Sequence, residues 1–303
     1  MSRNKIIAIS IAGVIVVSLI VLVWAGLGRV IITEHRAKVA VIPLMGNIQE
    51  SGGLLAAAGI TPEQVLGLLE RAKRDGSIKA IVLRINSPGG TVAASQEIGD
   101  MIKDFEKPIV VSMGDMAASG GYYISAHADM IIAQPGTLTG SIGVIWTHIN
   151  LDGLYEKLGI EMETITSGEH KDMFIDRLTP ERRDIIQRIS DEAYDQFIHT
   201  VAEGRGLTIS EVRELATGEI YIGTQALALG LVDRLGGQKD AIDAAAELAG
   251  IDEPIVVRLA PSPFELFFDQ GGSTLWELAI AKLLGEEIAL LRTALNTYQV
   301  PRY

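Results

Sequence analysis

Residues 79–90 read KAIVLRINSPGG, a nearly unbroken apolar run that ends abruptly at Asn-Ser-Pro-Gly-Gly. The run is rich in β-branched residues, which is typical of a strand buried on both faces of a sheet. The proline and the two glycines predict a sharp turn directly after it. The stretch therefore predicts a buried strand whose carboxyl end carries a tight, glycine-rich loop.

Similar strands and helices alternate on both sides of this stretch. Further strands are predicted at residues 38–46, 108–113 and 129–133, and helices from residue 62, at 91–105, from about 117, at 180–203 and at 240–249. Strands joined by helices imply right-handed crossovers and a mainly parallel sheet covered by helices, so the predicted fold class is α/β. Chemistry in such sheets lies at the carboxyl ends of the strands.

The composition excludes several classes of function. The chain has 303 residues, of which 48% are hydrophobic, and a formal net charge of −12. Such a chain can bury a core, and its negative charge disfavours nucleic acid as a partner. The absence of cysteine excludes disulfides, thiol catalysis and cysteine-ligated metal sites.

The N-terminus carries a long apolar segment. Residues 6–27 contain no charged residue, and a helix of roughly 20 apolar residues spans a bilayer. A cleaved signal peptide has a shorter apolar region, so we expect an uncleaved single-pass membrane anchor preceded by a cytoplasmic tail, residues 1–5. Positive charges lie on both sides of the anchor, and export of the remaining chain is the simpler orientation.

The C-terminal segment, residues 261–303, differs in character from the globular region 38–260. A stretch rich in helix breakers precedes an amphipathic helix that we expect at residues 274–297. This helix could pack on its own domain or on a neighbouring subunit, lie on a membrane surface, or belong to a flexible tail. The sequence leaves these alternatives open.

One serine lies in a setting that suits a nucleophile. In GDMAASGGYY, residues 114–123, Ser119 follows a strand and precedes a helix among small neighbours. Small residues let a substrate approach, and the amides at a helix start can stabilise an oxyanion. Tight packing of a small-residue helix explains the same pattern.

A serine nucleophile also needs a base, and His170 and Lys171 both lie in the loop SGEHKDM. A lysine base must be neutral, whereas an exposed loop lysine is the ordinary alternative.

Five motifs, in order, resemble the signal peptide peptidase A family of serine proteases in its single-domain form. They are INSPGG (85–90), which is shared with the proteolytic subunit of the Clp protease, MAASGGYY (116–123), LTGSIGV (138–144), GEHKDM (168–173) and GEIYIGTQALALGLVDRLGG (218–237). Each motif alone is weak, but all five occur in order, and the resemblance as a whole runs from about residue 38 to residue 251, more than 200 residues. The resemblance implies a Clp/crotonase-like spiral α/β fold. The last motif is expected to pack the sheet and helices without a chemical role.

The resemblance also assigns roles to individual residues. It implies that Ser119 is the nucleophile, that Lys171 is the general base, and that Ser141 positions the lysine. Backbone amides of Gly120 and of Gly89 or Gly90 are expected to hold the oxyanion. No metal or cofactor is expected.

Partners follow from the same resemblance. The single-domain form is expected to assemble into a ring of identical subunits, in which serine and lysine can come from adjacent subunits. Substrates are expected to be remnant signal peptides and other apolar peptides at the cell membrane, with the catalytic domain outside the cytoplasm. The local sequence fits such substrates, because the apolar residues Leu138, Ile142, Val144 and Ile145 could line pockets beside Ser141. Alternatives are a protease for stomatin-like membrane proteins, an inactive membrane scaffold, and an acyl-CoA enzyme of the crotonase type.

Overall fold

The structure, a computed structural model, describes residues 36–50, 59–174 and 178–260. The expected membrane anchor at 6–27 and the C-terminal segment at 261–303, with its helix at 274–297, lie outside these ranges. Within the three described ranges, no helix is both long and apolar enough to cross a bilayer.

Strands and helices alternate along the described chain. The strands are β1 (Lys38–Met45), β2 (Ile78–Ser87), β3 (Ile109–Ala118), β4 (Met130–Ala133), β5 (Leu138–Gly140), β6 (Ile220–Ile222), β7 (Arg234–Leu235) and β8 (Ile255–Arg258). The helices are α1 (Pro62–Arg74), α2 (Val92–Lys103), α3 (Gly120–Tyr123), α4 (Asp152–Leu158), α5 (Pro180–Arg205), α6 (Ile209–Leu215), α7 (Gly223–Ala228) and α8 (Gln238–Leu248).

These strands form one sheet with a long central strand, β3. The order along the sheet is β6-β5-β3-β2-β1-β8, while β4 pairs with β3 and with β7. All pairs are parallel except β5 with β6. One edge of β3 is shared, because its first half pairs with β4 and its last three residues pair with β5. The carboxyl ends of β2, β3 and β5 therefore meet in one place.

Both faces of the sheet are covered, which explains the continuous apolar runs in the sequence. In β1, Ala40, Ile42 and Leu44 point into the larger core with α1, α2 and α5. Val39 and Val41 point to the opposite face, where they meet the alanines of α8. Strands buried on both faces need apolar residues at every position. The predicted α/β fold with a mainly parallel sheet is thus confirmed.

One element boundary was predicted wrongly. The strand predicted at residues 108–113 continues to Ala118, and the helix expected from about Ala117 begins at Gly120. Segment 114–118 stays extended because Ala117 pairs with Ser87 on one side and with Thr139 on the other. Neighbouring strands here override the small-residue composition that suggested a helix.

A long segment without buried residues begins shortly after β5. We call residues 145–174 the arm; it contains the short helix α4, and each of its residues is exposed or half-buried. Residues 161–166, EMETIT, are strand-like in sequence but form no strand there. The two ends of the arm are joined by stacking of Trp146 on Phe174, with ring centroids 5.6 Å apart.

Candidate active site

Ser119 occupies a sharp turn between β3 and α3. Its φ of 51° and ψ of −123° lie outside the regions that L-residues ordinarily adopt. The Ser119 amide donates to the carbonyl oxygen of Gly140 at 2.8 Å, and the Ser119 carbonyl accepts from the amides of Tyr122 and Tyr123 at 2.9 Å. Such strain persists only where the surrounding structure imposes it, and it is concentrated at functional sites.

Ser141 has a matching position on the neighbouring strand. It directly follows β5, has a φ of 50°, and donates its amide to the carbonyl oxygen of Glu219 at 2.7 Å. Among the residues that the structure describes, Ser119 and Ser141 are the non-glycine residues with positive φ. The register Ala118–Gly140 places these two serines side by side at the sheet edge.

The glycine-rich loop after β2 lies against this turn. The Gly89 amide donates to the buried hydroxyl oxygen of Ser87 at 3.1 Å, so it is already used inside the loop. The amides of Gly90 and Gly120, in contrast, have no acceptor within the described part of the chain. Both residues border the same cavity as Ser119. Of the two amides expected from this loop, that of Gly90 is therefore the available one.

The cavity above Ser119 has a volume of about 660 Å³. Its wall opposite the strands is formed by α5, which contributes Tyr194 and Phe197, and by residues 216–218. Val144 and Ile145 line it as expected. Ile142 does not, because its side chain is fully buried in the larger core.

The expectation for Leu138 was also wrong. Leu138 is not among the residues that line the cavity, because it opens β5, opposite Met116. The pocket is therefore lined by residues that follow Ser141 and not by the strand before it.

Tyr123 closes one side of the cavity with its half-buried ring. Burial raises the pKa of its phenol, while a hydrogen bond from the hydroxyl of Thr200, at 2.9 Å, acts in the opposite direction. The ring packs on Phe197 with centroids 5.1 Å apart. This wall is therefore neutral and largely aromatic at physiological pH.

Lys171 lies away from Ser119 in a single chain. Its side chain is exposed, and it is not among the residues that line the Ser119 cavity. The segment around it is held to the start of α5 by an ion pair between Asp172 and Arg182 at 2.7 Å. The structure thus brings together Ser119, Ser141 and the Gly90 and Gly120 amides, and it leaves the expected base outside.

One group of side chains next to Lys171 could hold a metal ion on geometry alone. Ligand atoms of Glu169, His170 and Glu181 lie within 4.8 Å of one another. Two of the three are exposed carboxylates, and such groups are common without an ion. We therefore assign no metal to them. His170, the alternative base, is half-buried in this group and does not line the Ser119 cavity.

Several residues of the site were missed by the sequence reasoning. Ser87, Tyr123 and Glu219 lie inside the five motifs. The motifs do not show that the Ser87 hydroxyl accepts the Gly89 amide, and the partners of Tyr123 and Glu219 are distant in sequence. Phe197 belongs to an amphipathic helix that gives no sign of facing a cavity. The last motif was expected to have no chemical role, yet Glu219 fixes the backbone of Ser141.

Comparison with known proteins identifies the class. The pattern of peptidase family S49 matches residues 101–252, and that of Clp protease matches residues 35–137. A Synechocystis protein, slr0021, provisionally named a protease, is 41% identical over 277 residues, which cover 89% of this chain and 96% of that protein. An Enterococcus faecium protein provisionally named signal peptide peptidase SppA is 38% identical over 227 residues, 73% of this chain and 66% of that protein.

A solved structure supports the fold. It is the lysine mutant of 1510-N membrane-bound stomatin-specific protease in complex with a substrate peptide, with a TM-score of 0.50 and 18% identity. The match covers 77% of this chain and 97% of that one. Fold and relatives together define a serine protease with a Clp-protease-like α/β fold. The chain belongs to peptidase family S49.

Proposed function

We propose that the protein is a membrane-bound endopeptidase in which Ser119 is the nucleophile and Lys171 the general base. The observation that carries this proposal is the strained turn at Ser119, which lies beside two backbone amides without acceptors at the edge of one cavity. A nucleophile next to preorganised donors is the arrangement that acyl transfer requires.

The chemistry follows in two balanced steps. Neutral Lys171 takes the proton of the Ser119 hydroxyl while the serine oxygen attacks a peptide carbonyl carbon, and the amides of Gly90 and Gly120 hold the resulting oxyanion. Protonated Lys171 then gives its proton to the leaving amine, which departs and leaves an acyl-enzyme. In the second step Lys171 takes a proton from water, the hydroxide attacks the ester, and Ser119 recovers its proton. Ser141 would position the lysine amine between these transfers.

Because Lys171 is outside the cavity of its own chain, we propose that it serves Ser119 of a neighbouring copy in a ring. The arm that carries it holds ten of the nineteen large apolar side chains that are exposed in the described chain. They are Ile145, Trp146, Ile149, Leu151, Leu154, Leu158, Ile160, Met162, Ile165 and Phe174. Exposed apolar surface of this extent marks an interaction site. A second copy that packs on the arm would bury this apolar surface and bring Lys171 close to the Ser119 of that copy.

The proposed substrates are apolar peptides, including remnants of signal peptides. The walls of the cavity support this proposal, because Val92, Val144, Ile145 and Phe197 would accept apolar side chains. A membrane anchor at residues 6–27, with the catalytic domain on the outer side, would place the cavity close to such peptides. The apolar tail of a stomatin-like membrane protein is the alternative substrate, and an inactive scaffold is the alternative function.

The test uses the detergent-solubilised full chain and an apolar fluorogenic peptide. We expect Ser119→Ala and Lys171→Ala each to remove activity without changing the melting temperature. Co-expression of the two variants separates an intersubunit site from an intrasubunit one. In a mixed ring, about a quarter of the sites would combine an intact serine with an intact lysine from the neighbour, so activity would return. Full activity in Lys171→Ala would exclude lysine as the base, whereas a wild-type protein without activity on any peptide would favour the scaffold.

A peptide library decides between the two substrate classes. Cleavage of many apolar sequences would support the degradation of signal-peptide remnants. Cleavage confined to one sequence type would support processing of a specific membrane protein.

A further inference from the structure

Ser87 lies where the two motifs of the site touch. Ser87 is the last residue of β2 and is fully buried. On one side its hydroxyl oxygen accepts the Gly89 amide at 3.1 Å. On the other side Gly121, in the first turn of α3, packs so closely that an added Cβ would lie 2.8 Å from the Ser87 carbonyl oxygen. Ser87 thus contacts the loop that carries Gly90 and the helix that carries Gly120.

The direction of the Gly90 amide follows from its neighbours. The Gly89 carbonyl oxygen accepts the Ile48 amide at 2.9 Å, and the Thr91 amide donates to the Ile48 carbonyl at 2.9 Å. In a planar trans peptide the N–H points opposite to the preceding C=O. The Gly90 N–H must therefore point away from Ile48, and Gly90 borders the cavity of Ser119.

Gly89 is the flexible point of this loop. Its φ is +104°, a value that glycine adopts at no steric cost, so the chain on either side can rotate unless it is held. Ile48 holds the peptide plane after Gly89, and the Ser87 hydroxyl holds the amide before it. Without that hydroxyl, the Gly89 amide has no acceptor and the plane that carries the Gly90 N–H is fixed from one side alone.

We infer that Ser87 is a positioning residue for the oxyanion donors, acting on the reaction through the Gly89 amide. This inference rests on the proposed function of Ser119, Gly90 and Gly120. The Ser87 hydroxyl does not contact the substrate. By holding the Gly89 amide, it fixes the direction of the Gly90 N–H, which does contact the substrate. Its loss should therefore weaken binding of the tetrahedral state and leave binding of the ground state unchanged.

The experiment compares Ser87→Ala with Ser112→Ala in the full-length protein. Ser112 is an equally buried serine on the neighbouring strand β3, where its hydroxyl accepts from Arg84 at 2.9 Å. We expect Ser87→Ala to lower kcat by roughly 10- to 100-fold, somewhat less than the loss of a whole donor, with KM within about twofold. Ser112→Ala should keep the wild-type kcat. Ser87→Cys, which keeps the shape but is a weaker acceptor, should fall between wild type and Ser87→Ala.

A second readout separates positioning from a general loss of structure. A peptide boronic acid forms a tetrahedral adduct with the serine, whereas the matching peptide amide binds without reaction. We expect Ser87→Ala to weaken binding of the boronic acid by the same factor by which it lowers kcat/KM. Binding of the peptide amide should not change.

Three results would overturn the inference. They are equal losses in Ser87→Ala and Ser112→Ala, equal weakening of both inhibitors, and a wild-type kcat in Ser87→Ala. If Ser87→Ala does not fold, Ser87→Cys decides by the same two inhibitors. A wild-type protein that neither cleaves peptides nor binds the boronic acid would overturn the proposed function as well, whereas normal catalysis in Ser87→Ala would overturn this inference alone.

Discussion

The backbone amide of Ser119 donates to the carbonyl oxygen of Gly140 at 2.8 Å, so the turn after β3 is fixed directly to the end of β5. Ser141 follows Gly140 and is fixed in turn by Glu219. The two serines of the site are therefore positioned by backbone hydrogen bonds between strands and do not depend on flexible side chains. This arrangement explains how two residues with positive φ can persist next to each other.

Gly140 should accordingly tolerate no side chain. Its φ is +75°, and an added Cβ would lie 2.6 Å from the ring of Tyr221, which is itself held by a hydrogen bond to the Leu215 carbonyl. We expect Gly140→Ala to lower the free energy of unfolding by about 1–3 kcal/mol and to reduce kcat, because the turn of Ser119 moves with it. Urea unfolding and peptide hydrolysis measure the two effects. Gly136→Ala, at a position with open space, is the matched control, and equal behaviour of the two variants would contradict the prediction.

Substitution of Gly89 should be as harmful as substitution of Gly140, but we expect it to lower activity more than stability. A Cβ there would lie 2.7 Å from the Gly120 nitrogen and 2.9 Å from the Ser119 Cβ, in the space between nucleophile and oxyanion donor. We expect Gly89→Ala to lower kcat/KM by about 100-fold or more. The rate of labelling by a fluorophosphonate, which reacts with activated serines, should fall in parallel. Gly67→Ala in α1, where nothing approaches, should retain full activity. Normal labelling of Gly89→Ala would show that the loop does not border the reacting atoms.

The sequence predicted the sheet well because its signals are local. The run at residues 79–85 and the breaks after it are determined by burial on both faces and by turn chemistry, and both can be read within a few residues. The extension of β3 to Ala118 could not be read in this way, because pairing with β5 and Ser87 causes it. Long-range pairing leaves no mark in a stretch of small residues.

The candidate site shows the same division. The motifs were sufficient to select Ser119, Ser141 and the glycine loop, which the fold places together at one sheet edge. They could not show whether the amide of Gly89 or that of Gly90 binds the oxyanion. The answer depends on a hydrogen bond in the folded protein, because the Ser87 hydroxyl already accepts the Gly89 amide. They also could not place Lys171, since a motif gives no information about whether an exposed arm packs on its own subunit or on a neighbour.

His127 should make stability depend on pH. Burial lowers the pKa of its imidazole below the usual 6.5, and the nearby charge of Lys103 acts in the same direction, against Glu203, Asp100 and Asp104. The unfolded chain then binds a proton more readily than the folded one, so stability is lost as pH falls below about 6.5. We expect the drop in melting temperature between about pH 7.5 and pH 5.5 to be smaller in His127→Gln than in wild type. An equal drop in both proteins would contradict the prediction.

The apolar surface of the arm should control assembly. Ile165 is 90% exposed and lies six residues before Lys171, so in a ring its side chain would be buried against the neighbouring copy. Because a buried unpaired carboxylate is costly, we expect Ile165→Glu to shift the protein toward monomers and to lower activity at the same time. Light scattering after gel filtration in detergent measures the mass, and urea unfolding checks that the fold is kept. Leu66→Glu, which places the same charge at a 46% exposed position of α1, is the control and should leave the assembly intact. If Ile165→Glu keeps both its mass and its activity, the surface around Ile165 does not form the subunit interface, and the proposed delivery of Lys171 to a neighbouring Ser119 by this surface is wrong.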